Sequence, residues 1–211
     1  MKKCYEFIMA MILAANVFAE SVCSDHDGNL HCSVGAIDSI DYTGDVFVDG
    51  TTILEQLKTV GDLHAKNVNF NNINIIGNAD ITNSTISGYS QIIGDFQGKY
   101  TKFNDAVKIV GDVMCDECQF NAAASLVGDL QVNNSTFQGL ISLSTYASHF
   151  SHSNLNELVV KKQNRDAEQV IYLEQGSSVV NITFASNRGV VELSGGSVLR
   201  GKISGGKIVN K

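Results

Sequence analysis

Proline is missing from all 211 residues. That fits a chain whose backbone N–H groups are committed to hydrogen-bonded ladders, since a proline inside such a stack deletes a bond. Positive charge is also scarce: 15 Lys and Arg against 22 Asp and Glu leave a net charge of −7. An acidic chain of this kind is a poor electrostatic partner for nucleic acid or anionic lipid. Beyond the first twenty residues no segment is apolar enough to span a membrane. There is no Gly-x-Ser-x-Gly elbow, no P-loop and no dinucleotide fingerprint, so no common catalytic motif points to an activity.

What the chain does contain is a repeat. Glycines recur at Gly28, Gly44, Gly61, Gly77, Gly94, Gly111 and Gly128, in steps of 16 or 17 residues. Each is followed by an acid or its amide: Asn29, Asp45, Asp62, Asn78, Asp95, Asp112 and Asp129. Nine positions after each glycine stands a large apolar residue: Ile37, Ile53, Phe70, Ile86, Phe103, Phe120 and Phe137. A period this short means one supersecondary unit per turn of a solenoid.

Numbered from its glycine, each repeat alternates apolar and polar residues around +2 and +4. It carries small residues at +7 and apolar ones again at −4 and −2 before the next glycine. Three period-two segments separated by turns are three short strands, each with one buried face. The expected fold is therefore all-β: a single-stranded parallel β-helix with coils of about 17 residues. Right-handed coiling is expected, because left-handed helices usually show hexapeptide repeats. The glycine supplies a positive φ at a tight corner, and the neighbouring Asp or Asn can bond local turn backbone. Thr52-x-x-Glu55 resembles a helix capping box, but it keeps the repeat's register and reads as part of the β-helix.

Residues 1–19 read as an export signal. Lys2 and Lys3 precede an apolar run from Phe7 to Ala15, and Val17-Phe18-Ala19 offers small residues at the cleavage site. Cleavage removes two lysines and one glutamate, taking the net charge from −7 to −8. The regular coils span 20–145, an irregular coil and polar loop 146–169, and longer coils 170–211. In the last segment Val170–Leu173 before Gly176 parallels Val190–Leu193 before Gly196, a step of 20 residues.

Four cysteines remain in the mature chain: Cys23, Cys32, Cys115 and Cys118. An even number in an exported chain favours disulfides. Of the three possible connectivities, local pairing of Cys23 with Cys32 and Cys115 with Cys118 is the simplest. Cys115-Asp116-Glu117-Cys118 has the spacing of a zinc half-site or redox motif. No second half-site follows, and both cysteines lie on core columns, so a corner-bridging disulfide or two buried thiols is expected.

Other candidate sites reduce to the repeat or to polar surface. Asp25 to Asn29 begins like a calcium loop, but Ala36 stands where the bidentate glutamate belongs. His149 and His152 could share a metal or simply lie on a polar surface. Asp95, Asp112 and Asp129 would stand about 5 Å apart on neighbouring coils, the separation of a retaining glycosidase pair. A catalytic pair needs two different environments, however, and a ladder offers the same one at each coil.

The glycine-cornered coils over residues 28–145 resemble the bactofilins, bacterial polymer-forming proteins built as small right-handed β-helices. The C-terminal run, Gly176 to Phe184 and on to Lys202, also looks like the ends of exported bacterial β-helix proteins. The resemblance implies architecture and transfers no functional residue; an export signal and the absence of proline-containing tails set this chain apart from bactofilins.

The sequence thus leads us to expect an exported protein, periplasmic or extracellular, with a non-catalytic structural or binding role and no cofactor or metal. A subunit that stacks end to end and a carbohydrate-active enzyme resembling pectin lyases are the alternatives. The open partner classes are a glycan, a surface protein or another copy of the chain.

Overall fold

Strand pairing follows the repeat residue for residue. Val46 pairs with Leu63, Leu63 with Ala79, Ala79 with Phe96, Phe96 with Val113 and Val113 with Leu130, all in parallel. The computed structural model describes residues 22–164 and 167–211, and every strand in them belongs to one continuous sheet wound into a β-solenoid. The expected leader over residues 1–19 lies outside the described residues. No helix occurs among the described residues, and Thr52 to Glu55 lie within a strand. We label the first three strands β1 (Val22–His26), β2 (Asn29–Thr43) and β3 (Val46–Val60). In β2 and β3 whole coils run as one bent strand; later coils divide into three flats. The coil after Gly111, for example, consists of Val113–Asp116, Gln119–Phe120 and Ala124–Val127.

The glycine corner meets two demands at once. Gly44, Gly61, Gly77, Gly94, Gly111 and Gly128 have φ between +131° and +151°, and the coils approach so closely there that a Cβ on Gly111 would stand 2.2 Å from the Gly94 carbonyl oxygen. Torsion and stacking distance both exclude a side chain. Gly28 departs from the series. Its φ is +78°, Asp27 beside it has φ +53°, and nothing lies within 4 Å of a Cβ built there. These two residues form the turn of a β1–β2 hairpin of the Asp-Gly kind. The first glycine of the repeat thus serves as a hairpin turn, while its carbonyl still stacks against Gly44 as each later corner glycine does against the next.

A second corner, six residues after each glycine, was not foreseen from the sequence. Val34, Gly50, Asn67, Asn83, Tyr100, Glu117 and Asn134 all have φ between +48° and +65°. Six of them are not glycine, and each such residue costs about 1–2 kcal/mol in this conformation. Where the following residue, at +7, carries a hydroxyl, it compensates. Ser84 Oγ donates to the Thr82 carbonyl at 2.8 Å and Ser135 Oγ to the Asn133 carbonyl at 2.7 Å, spanning the corner. The same oxygens accept backbone N–H groups from the preceding coil, Val68 to Ser84 at 3.0 Å and Cys118 to Ser135 at 2.9 Å. The column continues through Ser153, Ser177 and Ser197 as a buried hydroxyl ladder. It is satisfied at every rung, as buried polar groups must be.

The remaining interior is mostly apolar, with Thr59, Ser90, Ser148 and Ser178 as further buried hydroxyls. The +9 residues Ile53, Phe70, Ile86, Phe103, Phe120 and Phe137 are buried, while Ile37, in the first coil, is only partly covered. Phe103, Phe120 and Phe137 stack face to face, with centroids 4.9 and 4.3 Å apart. Phe96 and Phe150 close the run edge-on.

Beyond Gly128 the corner is rebuilt around Thr145. Its hydroxyl donates to the Ala147 carbonyl at 2.7 Å and lies 3.1 Å from Asp129 Oδ1. The polar excursion that follows is closed at its base by the buried Gln169, whose Nε2 donates to the carbonyls of Thr145 (2.9 Å) and Lys161 (2.8 Å). Stacking then resumes with Val170 on Val190, in the 20-residue register read from the sequence.

Phe120→Ala removes a ring stacked on both faces and is expected to cost about 3–5 kcal/mol. Urea denaturation followed by circular dichroism would show it, and a midpoint at the wild-type value would refute the inward assignment of this column.

Candidate binding face

The outward side chains of the first flat form the most structured part of the surface. This flat runs through Leu63–Lys66, Ala79–Thr82, Phe96–Lys99, Val113–Asp116, Leu130–Asn133 and Ala147–Ser151. Alternation sends +2 and +4 into the core and +3 and +5 out. An open groove of about 1110 Å³ crosses these coils from Asp62 to Glu174. Six carboxylates line it (Asp62, Asp80, Asp95, Asp112, Asp129 and Glu174), with no lysine or arginine among its lining residues. Gln97, Met114 and Gln131 occupy its floor.

Rings mark both ends of the +3 column. Phe47 is sandwiched between His31 and His64 at centroid distances of 4.6 and 4.8 Å, and His149 lies flat on Tyr172 at 4.2 Å. Parallel register at the strand spacing imposes this stacking. The shared ring faces are consumed by each other, so the stacks present chiefly their edges outward. Hydrogen bonding, more than ring stacking, is the chemistry the groove offers.

The acid column beside the glycines behaves differently from a local turn device. Asp45 Oδ1 accepts the N–H of Asp62 at 2.9 Å, Asp62 that of Asn78 at 2.7 Å, and Asn78 that of Asp95 at 2.9 Å. Asp95 and Asp112 continue the series to Asp112 and Asp129, each at 2.9 Å. Each side chain therefore bonds the next coil and not its own turn. One oxygen of each carboxylate is held, and the other is left for the groove. The environment repeats from Asp45 to Asp112, and at Asp129 the Thr145 hydroxyl takes the place of the next backbone N–H.

The cysteines divide into two kinds. Cys23 and Cys32 form a disulfide across the β1–β2 hairpin, where they are directly opposed in the antiparallel register. Cys115 and Cys118 are buried free thiols, so the simplest local pairing does not form between them. Cys118 occupies a rung of the hydroxyl ladder and directs its thiol to the Asp116 carbonyl at 3.9 Å. Burial, reinforced by a hydrogen bond with Cys118, pushes the Cys115 thiol well above its usual range.

Asp25, in the calcium-loop-like stretch, serves the hairpin: it accepts the Gly28 N–H at 3.2 Å and the Tyr42 hydroxyl at 2.6 Å. His149 stacks on Tyr172 and lies 3.8 Å from Glu174, whereas His152 sits at the +6 type corner beside Ser151. The two histidines thus have separate surroundings. No group of three or more His, Cys, Asp or Glu suited to a metal occurs among the described residues. No family model matches the chain, and neither does any curated protein or solved structure.

Asp112→Ala breaks one rung of the acid ladder and should cost about 1–2 kcal/mol in chemical denaturation. Asp112→Asn keeps the accepting oxygen and relieves repulsion from Asp95 and Asp129, so its stability should equal or exceed wild type. Equal losses in both variants would refute the ladder bond.

The hydrogen bond to Asp25, with smaller effects of burial and charge, raises the Tyr42 phenol above its ordinary value. The neutral phenol is the bonded form, so this contact is intact below the ordinary phenol pKa and is lost as pH rises through the raised one. Absorbance titration at alkaline pH should show a late tyrosinate that disappears in Tyr42→Phe. A titration unchanged by that substitution would count against the contact.

Proposed function

We propose that the chain is an exported, non-catalytic β-solenoid that binds an extended glycan along its first flat. The groove from Asp62 to Glu174 carries this reading: a carboxylate or amide stands beside the corner in five successive coils (Asp62, Asn78, Asp95, Asp112 and Asp129), with no lysine or arginine among the lining residues. A regular row of acceptors at the strand spacing of about 4.8 Å suits a linear, polyhydroxylated polymer better than a compact small molecule. The acidic lining disfavours polyanions and favours a neutral or amine-bearing polysaccharide. Export is supported by the leader-like residues 1–19 and by the Cys23–Cys32 disulfide, a bond that persists in oxidising compartments.

The likeness to bactofilins suggests end-to-end polymerisation instead. At the N-terminal end, however, β1 pairs antiparallel with β2, covering part of the edge a stacking copy would need.

Affinity electrophoresis of the mature chain in gels containing a neutral glucan, chitosan or polygalacturonate tests the proposal. Retardation by the glucan or chitosan is expected, reduced at least tenfold in Gln97→Lys/Gln131→Lys with the melting temperature unchanged. Retardation by polygalacturonate alone, or by none of the three, would overturn it, as would release of reducing ends from a bound polymer.

A further inference from the structure

The third flat carries an outward column that the groove does not use. Val60, Ile76, Ile93, Val110 and Val127, each directly before a corner glycine, stack in parallel register over five successive coils. All five are exposed, at 46, 49, 43, 37 and 38%. Thr43 and Ser144 end the column on either side. Single exposed aliphatic residues need no explanation, but an unbroken row does. Four steps of about 4.8 Å make it about 19 Å long. Its members are all β-branched, so they hold few rotamers and lose little entropy when covered.

The charges flanking this row say what covers it. On one side, two residues earlier in each strand, stand Lys58, Asn74, Gln91, Lys108 and Ser125, so that lysine occupies two of the five rungs. On the other side, across the glycine corner, stand Asp62, Asn78, Asp95, Asp112 and Asp129. Lys108 pairs with no carboxylate among the described residues, and Lys58 reaches only the exposed Asp41, at 3.1 Å. Over the five rungs, the charges on one border are thus two lysines, and those on the other are four aspartates.

We propose that a second copy of this chain covers the aliphatic row, related by a two-fold axis parallel to the solenoid axis. That rotation lays row on row and sets the lysine border of each copy against the acid border of the other. Antiparallel solenoids would instead set acid against acid and lysine against lysine. Each rung then faces the same rung of the second copy, the self-complementary arrangement of a two-fold interface. A contact only about 19 Å long lies at the small end of specific interfaces, so the dimer exchanges with monomer. The row itself lies on a different flat from the glycan groove, while its acid border, Asp62, Asp95, Asp112 and Asp129, also lines that groove; the two proposals are read by different variants, and either can fail without the other.

Sedimentation velocity over a range up to hundreds of micromolar should show monomer passing to dimer and nothing larger. Ile93→Asp should leave the melting temperature within a few degrees of wild type and hold the chain monomeric. Orientation is read from Val60→Cys with a short bismaleimide, the buried Cys115 and Cys118 being shielded in the folded chain. Parallel solenoids bring the two introduced thiols together and cross-link, whereas antiparallel ones leave them about 19 Å apart. The proposal is overturned by a wild-type monomer at every concentration or by a dimer that survives Ile93→Asp. It is equally overturned by a dimer that Val60→Cys fails to cross-link, by assemblies larger than a dimer, or by a monomer that binds phosphatidylcholine vesicles through the row.

Discussion

Backbone hydrogen bonds between coils govern everything else in this molecule. Each N–H or carbonyl in a flat is paired with the coil above or below, so neighbouring coils are held at the strand spacing and in strict register. Any side chain then meets its counterparts one rung away in each direction. The interior can be built only from columns whose members tolerate that repetition: aliphatic groups, parallel phenyl rings, and hydroxyls that donate to one carbonyl while accepting from another coil. The corner glycines are the strictest case, since the carbonyl of one glycine occupies the space a Cβ would need on the next.

The same register that builds the core also organises the surface. Outward columns turn single residues into rows of acids, amides, rings or β-branched aliphatics. A surface of rows recognises extended or self-similar partners more naturally than it builds an active site, which requires unlike groups to converge. That is why the acidic groove is read as a binding face and the aliphatic row as a contact between copies.

Much of the fold was legible because columns repeat. Gly61 to Gly128, the buried +2, +4 and +9 positions and the 20-residue step from Val170 to Val190 could all be located from spacing alone. Gly28 keeps the column, with its carbonyl against Gly44, but its own torsion belongs to an Asp-Gly hairpin that the spacing did not announce. The second corner was missed because its φ is carried by Val34, Tyr100 and Glu117 as well as by asparagine, and residue type does not announce that conformation. Asn67, Asn83 and Asn134, recurring six residues after a glycine, were the available signal. The groove and the aliphatic row were harder to foresee, because outward residues vary freely and only a settled register reveals which of them share a column. Cys118 shows the limit of local motifs: the spacing suggested a bridge, whereas the column assigned it a serine's place.

The Gln169 amide has a consequence of another sort. By bonding the carbonyls of Thr145 and Lys161 it ties both ends of the polar excursion to a single buried side chain. Apart from the ion pair of Glu168 with Lys207 at 3.1 Å, the stack is little engaged by the described residues between Lys161 and Gln169. Insertions there would meet little resistance from the solenoid, because closing a longer loop adds only about 0.6 kcal/mol per doubling. This is the position at which descendants of the protein could acquire new segments, and with them new partners, without renegotiating any rung of the ladder.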